Sequence, residues 1–107
     1  MNLLFVCSRN RLRSPTAEAH FAKFPGIETA SAGTSPDADT PLSLDLIEWA
    51  DLIFAMEPVH RKRLNEKFKS ALRTKKIIVL GIPDRYTYMD PALIEILQSK
   101  VTRHLPR

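Results

Sequence analysis

Chemistry in this chain concentrates in "VCSRNRLRSP", residues 6 to 15, around its one cysteine. Cys7 follows the apolar run Leu3–Val6 and precedes Arg9, Arg11 and Arg13. Five residues separate Cys7 from Arg13, and Ser14-Pro15 comes next. Proline suits the first turn of a helix and serine is a good cap before it, so a helix is expected to open there. Residues 8 to 13 then form a loop ending at a helix N-terminus, where free N–H groups and the helix dipole favour an anion. A loop of this length can turn its backbone N–H groups inward as an anion nest. Arg13 can bring a planar fork to the same centre and hold two oxygens of a phosphate. The same field favours the thiolate form of Cys7, the form that acts as a nucleophile. A thiolate beneath a bound phosphate can attack phosphorus without a metal or a nucleotide.

The elements that must hold these residues can be read from the apolar pattern. Leu3–Val6, Ile27–Ala30, Leu52–Ala55 and Ile77–Leu80 are short, continuous apolar runs, as expected for parallel strands covered on both faces. Helical patterns alternate with them: Pro15 to Phe24, Leu44 to Ala50, Pro58 to Leu72, and Pro91 to Leu105. In the first of these Ala17, Phe21 and Phe24 share a face. In the third, Leu64, Phe68 and Leu72 do. In the last, Ile94, Leu97, Val101 and Leu105 do. Alternation of strands and helices implies right-handed crossovers and a parallel sheet. The expected architecture is one α/β domain over residues 1–107, doubly wound and flavodoxin-like. Its four parallel strands run in the order 2-1-3-4, with helices on both faces. Residues 34 to 43, "TSPDADTPLS", read as a loop. In such sheets ligands bind beyond the carboxyl ends of the strands. Cys7, Glu57-Pro58 and Asp84 all fall at that end.

Composition excludes several classes. No apolar run approaches the roughly 18 residues of a membrane span. The apolar start "NLLFV" is short for a signal peptide and is followed by arginines, so the cytoplasm is the expected location. One cysteine permits no internal disulfide, which fits a reducing compartment. The formal charge is +4, and residues 61 to 76 carry eight Lys/Arg against one acid. Such a block could draw nucleic acid, but the simpler expectation is a solvated helix face. His20, His60 and His104 fit no zinc spacing with Cys7, and no metal or cofactor is expected.

"VCSRNRLRSPTAE" resembles the active-site loop of the low-molecular-weight protein tyrosine phosphatases, in which a cysteine, five residues, an arginine and a serine precede proline. "SAGT" (residues 31 to 34), "DLIFAME" (51 to 57) and "IPDRY" (82 to 86) resemble later family segments in order. The resemblance implies a phosphomonoester hydrolase acting on phosphorylated protein, phosphotyrosine first. Cys7 would form a phosphocysteine, Arg13 would bind the phosphate, and Ser14 would donate a hydrogen bond to the Cys7 sulfur. Ser8, Arg9, Asn10, Arg11, Leu12 and Arg13 would line the phosphate site, with Asn10 bracing the loop. Asp84 would be the general acid. Asp90-Pro91 also looks like the family's acid position, which makes Asp90 the second choice, although a helix cap explains it equally well. Tyr86 and Tyr88 flank the acid segment and are candidates for the cleft wall. Three departures stand out. Arg9 occupies a usual glycine position, Leu12 a frequent second cysteine, and only Ser35 to Ala50 connects "SAGT" to "DLIFAME". The stretch missing there normally supplies an aromatic wall of the cleft. Two other functions fit the same loop: an arsenate reductase relying on an external thiol, and a non-catalytic module binding anions or nucleic acid.

Overall fold

A computed structural model describes residues 1–106; Arg107, the end of the expected 1–107 domain, lies outside the described residues. The element order is β1 (Asn2–Cys7), α1 (Arg13–Phe21), β2 (Glu28–Gly33), α2 (Leu44–Trp49), β3 (Leu52–Ala55), α3 (Pro58–Phe68), a 3-10 turn (Ala71–Thr74), β4 (Lys76–Val79) and α4 (Pro91–Thr102). The four strands form one parallel sheet in the order β2-β1-β3-β4. This is the expected doubly wound order, and β1 is central because its residues have no solvent-facing side.

Each face of β1 seeds a separate core. Leu3, Phe5 and Cys7 point toward α1 and α4, and pack with Phe21, Phe54, Leu93, Leu97 and Val101. Leu4 and Val6 point the other way and pack with Ile47, Ile53, Leu64 and Leu72 beneath α2 and α3. Phe5 anchors the first core, its ring 5.7 Å from that of Phe21 and 5.4 Å from that of Phe54. Truncating a buried ring of this kind costs about 3–5 kcal/mol. Several such anchors outweigh any one hydrogen bond in the loops, each worth about 1 kcal/mol net.

Helix boundaries differ from the sequence expectation in instructive ways. α1 opens at Arg13, with Leu12 at its cap and no side-chain cap bond; Ser14 already lies inside the helix. The Ser14 hydroxyl is engaged by Cys7 and Asn10 instead. The long basic helix is interrupted: α3 stops at Phe68 and the 3-10 turn carries Leu72 onto the core. In α4 the buried stripe is Leu93, Leu97 and Val101, with Leu93 in place of Ile94. Arg61, Lys62, Arg63 and Lys67 of α3 are exposed, so the basic block presents a solvated face.

Candidate active site

β1 delivers Cys7 to the carboxyl end of the sheet, buried at 3% exposure. The chain then turns through residues 8 to 12 before α1 begins. Among the described residues, none of the N–H groups of residues 8 to 12 donates to a backbone acceptor. The loop's carbonyls, in contrast, are used. Ser8 O accepts from Ser35 N, Arg9 O from Asp39 N, and Leu12 O from both Thr16 N and the Thr16 hydroxyl. With these carbonyls engaged, the amides of residues 8 to 12 are left without backbone acceptors, as an anion nest requires.

The loop turns at Asn10, the only residue in it with a positive φ, at 59°. Asparagine tolerates that conformation. Arg9, standing where the resembling family usually has glycine, keeps a negative φ and carries no such strain. The residue that does need to be glycine is Gly33. A Cβ there would come within 2.5 Å of Ser8 O and of the Ala38 side chain. Its absence lets the segment after β2 lie directly against the loop.

Two side chains organise the sulfur. Asn10 Nδ2 donates to Ser14 Oγ at 3.0 Å, and Ser14 Oγ lies 2.9 Å from Cys7 Sγ. With Asn10 filling the acceptor side of the Ser14 oxygen, the serine O–H is left to donate to sulfur. Both residues are buried, so this geometry is held without competition from water.

Arg13 is 3% exposed, and its two Nη1 hydrogens are both spoken for. One goes to Glu57 Oε1 at 2.5 Å, the other to the carbonyl of Ile82 at 2.8 Å. That anchors one corner of the guanidinium and leaves the Nε–Nη2 edge for a bidentate ligand. Asp84 sits beside this edge, its Oδ1 3.7 Å from Arg13 Nε, and is itself 62% exposed. A cavity of about 160 Å³ joins these groups, lined by Cys7, Ser8, Arg9, Arg11, Leu12, Arg13 and Asp84.

The remaining sequence candidates fall elsewhere. Asp90 caps α4, accepting from Ala92 N at 2.9 Å, and does not line the cavity. Tyr86 packs against the Phe5 core, and Tyr88 lines a separate depression with Pro15 and Thr29. Neither tyrosine is among the residues that line the cavity of Cys7 and Arg13. Met89 N donates to the Thr16 hydroxyl at 2.9 Å, tying this segment to α1. No aromatic residue lines the cavity. Among the described residues no group of three His, Cys, Asp or Glu is gathered to hold a metal.

Two residues at the site carry no role in the sequence reading. Glu57 was recognised only as lying at the right end of β3. His60 was weighed only as a metal ligand. Together they form the reciprocal cap of α3: the Glu57 carboxylate accepts from the His60 backbone, and the Glu57 N–H donates to His60 Nδ1 at 3.0 Å. An acid, then Pro58, then a polar residue at the third helical position is the legible signal of such a box. His60 is fully buried, and burial followed by the charge of Arg13 pushes its pKa down to about 4.

With this geometry in view, the comparisons are informative. No family model and no curated protein matches the chain. Solved structures do. A YwlE arginine phosphatase from Geobacillus stearothermophilus superposes with a TM-score of 0.76 at 24% identity, over 96% of this chain and 89% of that one. A YwlE arginine phosphatase variant with a phosphorylated active-site serine gives 0.71 at 27% identity, over 99% of this chain and all of that one. A low-molecular-weight protein tyrosine phosphatase from Streptococcus pyogenes gives 0.77 at 17% identity, over 99% and 94%. The fold is that of the low-molecular-weight tyrosine phosphatases. This chain is similar to such phosphatases along nearly its whole length.

Proposed function

We propose that this chain is a cysteine-dependent phosphomonoesterase that hydrolyses phosphorylated protein through a phosphocysteine at Cys7. The observation that carries the reading is the cavity itself. Its lining includes a buried thiol, a loop of free amides and an anchored guanidinium edge. The phosphatase names of the superposing structures, one with its active-site serine phosphorylated, favour hydrolysis over arsenate reduction or simple anion binding.

In the first step the Cys7 thiolate attacks phosphorus, an S–P bond forms and the P–O bond to the leaving group breaks. Asp84, exposed on the cavity wall, gives its proton to the leaving oxygen. In the second step water attacks phosphorus, Asp84 takes up the water's proton, and the S–P bond breaks to release inorganic phosphate and the thiolate. Arg13 and the loop amides hold the equatorial oxygens throughout. Ser14 donates its O–H to the returning thiolate.

The deciding experiment is p-nitrophenyl phosphate turnover by the intact chain. Activity should survive EDTA and be lost on treatment with iodoacetate. Cys7→Ser should abolish turnover yet still bind vanadate or phosphate, because the nest and Arg13 remain. Phosphate binding by the wild-type chain without any turnover would replace the enzyme with an anion-binding module. A peptide panel bearing phosphotyrosine, with a P–O bond, and phosphoarginine, with a P–N bond, then shows whether the substrate is the proposed ester; turnover of phosphoarginine alone would replace the esterase with a phosphoramidase.

A further inference from the structure

Ser8 is the first residue after Cys7, and it lines the cavity. Its hydroxyl oxygen lies 2.9 Å from Nε2 of His60, 52 positions away in the sequence. The direction of that hydrogen bond follows from the other side of the ring. His60 Nδ1 accepts the backbone N–H of Glu57 and so carries no proton in the neutral ring. The ring proton is therefore on Nε2, and Nε2–H donates to Ser8 Oγ. One acceptor position of the serine oxygen is thereby filled, and the serine's own hydrogen is left to be given away. Among the described residues Ser8 Oγ has no other partner.

We propose that His60 is a positioning residue that fixes Ser8 as a hydrogen-bond donor into the phosphate cavity. The assignment rests on the reading of residues 8 to 13 as a phosphate loop. Ser8 then adds a hydroxyl donor to the backbone amides. The loop is also tied to the start of α3 at both ends: Ser8 to His60, and Arg13 to Glu57. A neutral His60 is needed, because a proton on Nδ1 would face the Glu57 N–H. Burial and Arg13 keep the ring neutral, with Arg63 adding to the effect and Glu57 and Asp84 opposing it. The arrangement discriminates between ligands. An oxyanion offers a charged acceptor to the Ser8 hydroxyl, and gains more from it than a neutral acceptor of the same shape.

The test uses inorganic phosphate as the probe, measured both as a competitive inhibitor and by direct calorimetric binding. Ser8→Ala should weaken phosphate about 10-fold, in line with the loss of one hydrogen bond to a charged partner. His60→Leu should weaken it by a similar factor. The double variant should be little worse than either, since both remove the same donor. His60→Gln should stay within about threefold of the wild type, because glutamine at this cap position can accept from the Glu57 N–H and donate to Ser8. Long-range ¹⁵N–¹H correlation of the histidines should show His60 protonated on Nε2 at neutral pH. Unchanged phosphate affinity in Ser8→Ala overturns the proposal, as does strict additivity in the double variant or a proton on Nδ1. If His60→Leu does not fold, Ser8→Ala, His60→Gln and the tautomer still decide. Direct binding keeps the question separate from catalysis: a chain that binds phosphate through Ser8 but hydrolyses nothing would refute the phosphatase reading and leave this one standing.

Discussion

The two walls of the cavity are built differently. On one side the loop is locked to the rest of the protein. Ser8 and Arg9 are tied by their carbonyls to the segment after β2, and the Ser8 and Arg13 side chains are tied to the start of α3. Gly33 and Ala38 sit against it without a gap. On the other side stands Asp84, on a segment whose side chains are mostly exposed from Pro83 to Tyr88. Among the described residues its one ionic contact is the 3.7 Å approach to Arg13. On the proposed reading, phosphate recognition is thus preorganised, while the proton donor, Asp84, occupies an open rim. Preorganised dipoles cost no rearrangement when charge develops. An exposed carboxylate, in contrast, can accommodate leaving groups of varied shape, and here no aromatic wall selects among them.

That contrast can be broken from either side. The largest effect common to every substrate should come from the locked wall. Arg13→Lys keeps the charge but loses both the Nη1 anchor to Glu57 and Ile82 and the planar fork, so turnover should fall by roughly 10²–10³. Near-normal kcat/KM in that variant would show that the fork does not hold the phosphate.

The open wall should respond in a substrate-dependent way. Asp84→Asn should lower kcat by roughly 10²–10⁴ for alkyl or peptide phosphates, and by much less for p-nitrophenyl phosphate, whose leaving group needs little protonation. Asp90→Asn should leave both rates in place and shift stability only slightly, since asparagine also caps a helix. Leaving-group dependence appearing in Asp90→Asn and not in Asp84→Asn would reverse the two roles.

The smallest effect is a pH dependence of stability at the buried tie. His60 has a folded-state pKa of about 4, below the ordinary 6.5. The unfolded chain therefore takes up a proton as pH falls below 6.5, while the folded ring refuses it until about pH 4. The stabilising contribution is fully present above pH 6.5, is lost progressively down to about pH 4, and amounts to on the order of 3 kcal/mol. Urea unfolding at pH 7 and pH 4.5 should show this loss. The loss should be smaller in His60→Gln, and the difference between the two proteins removes the contribution of the carboxylates. Parallel pH curves for wild type and His60→Gln would mean that the ring is not held neutral.

Much of this was legible in the chain. The order of strands and helices followed from short continuous apolar runs alternating with helical periodicity, because a parallel strand buried on both faces leaves no room for polar alternation. Leu52–Ala55 needed no adjustment at all. The Cys7-to-Arg13 spacing named the loop, since a nest and a returning guanidinium are local consequences of one turn and one helix start. Asp84 could be placed on the right wall because the carboxyl ends of parallel strands converge.

What the chain alone did not reveal depends on groups far apart in sequence. Ser14 has the signature of a cap, and only the nearness of Cys7 and Asn10 shows why its hydroxyl is spent on sulfur. Tyr86 and Tyr88 lie close to Asp84 in sequence, yet Tyr86 packs against the Phe5 core and Tyr88 lines a separate depression with Pro15 and Thr29. Arg9 looked costly in a glycine position, but the loop takes its left-handed turn at Asn10 instead. Glu57 and His60 acquire their meaning from α3 docking its first turn beside residues 8 to 13. Sequence determined which elements form and which residues could carry the chemistry, because those depend on local periodicity and chain stereochemistry. Tertiary structure decided which donors and acceptors meet, because a hydrogen bond between positions 8 and 60 exists only once the sheet has brought β1 and β3 side by side.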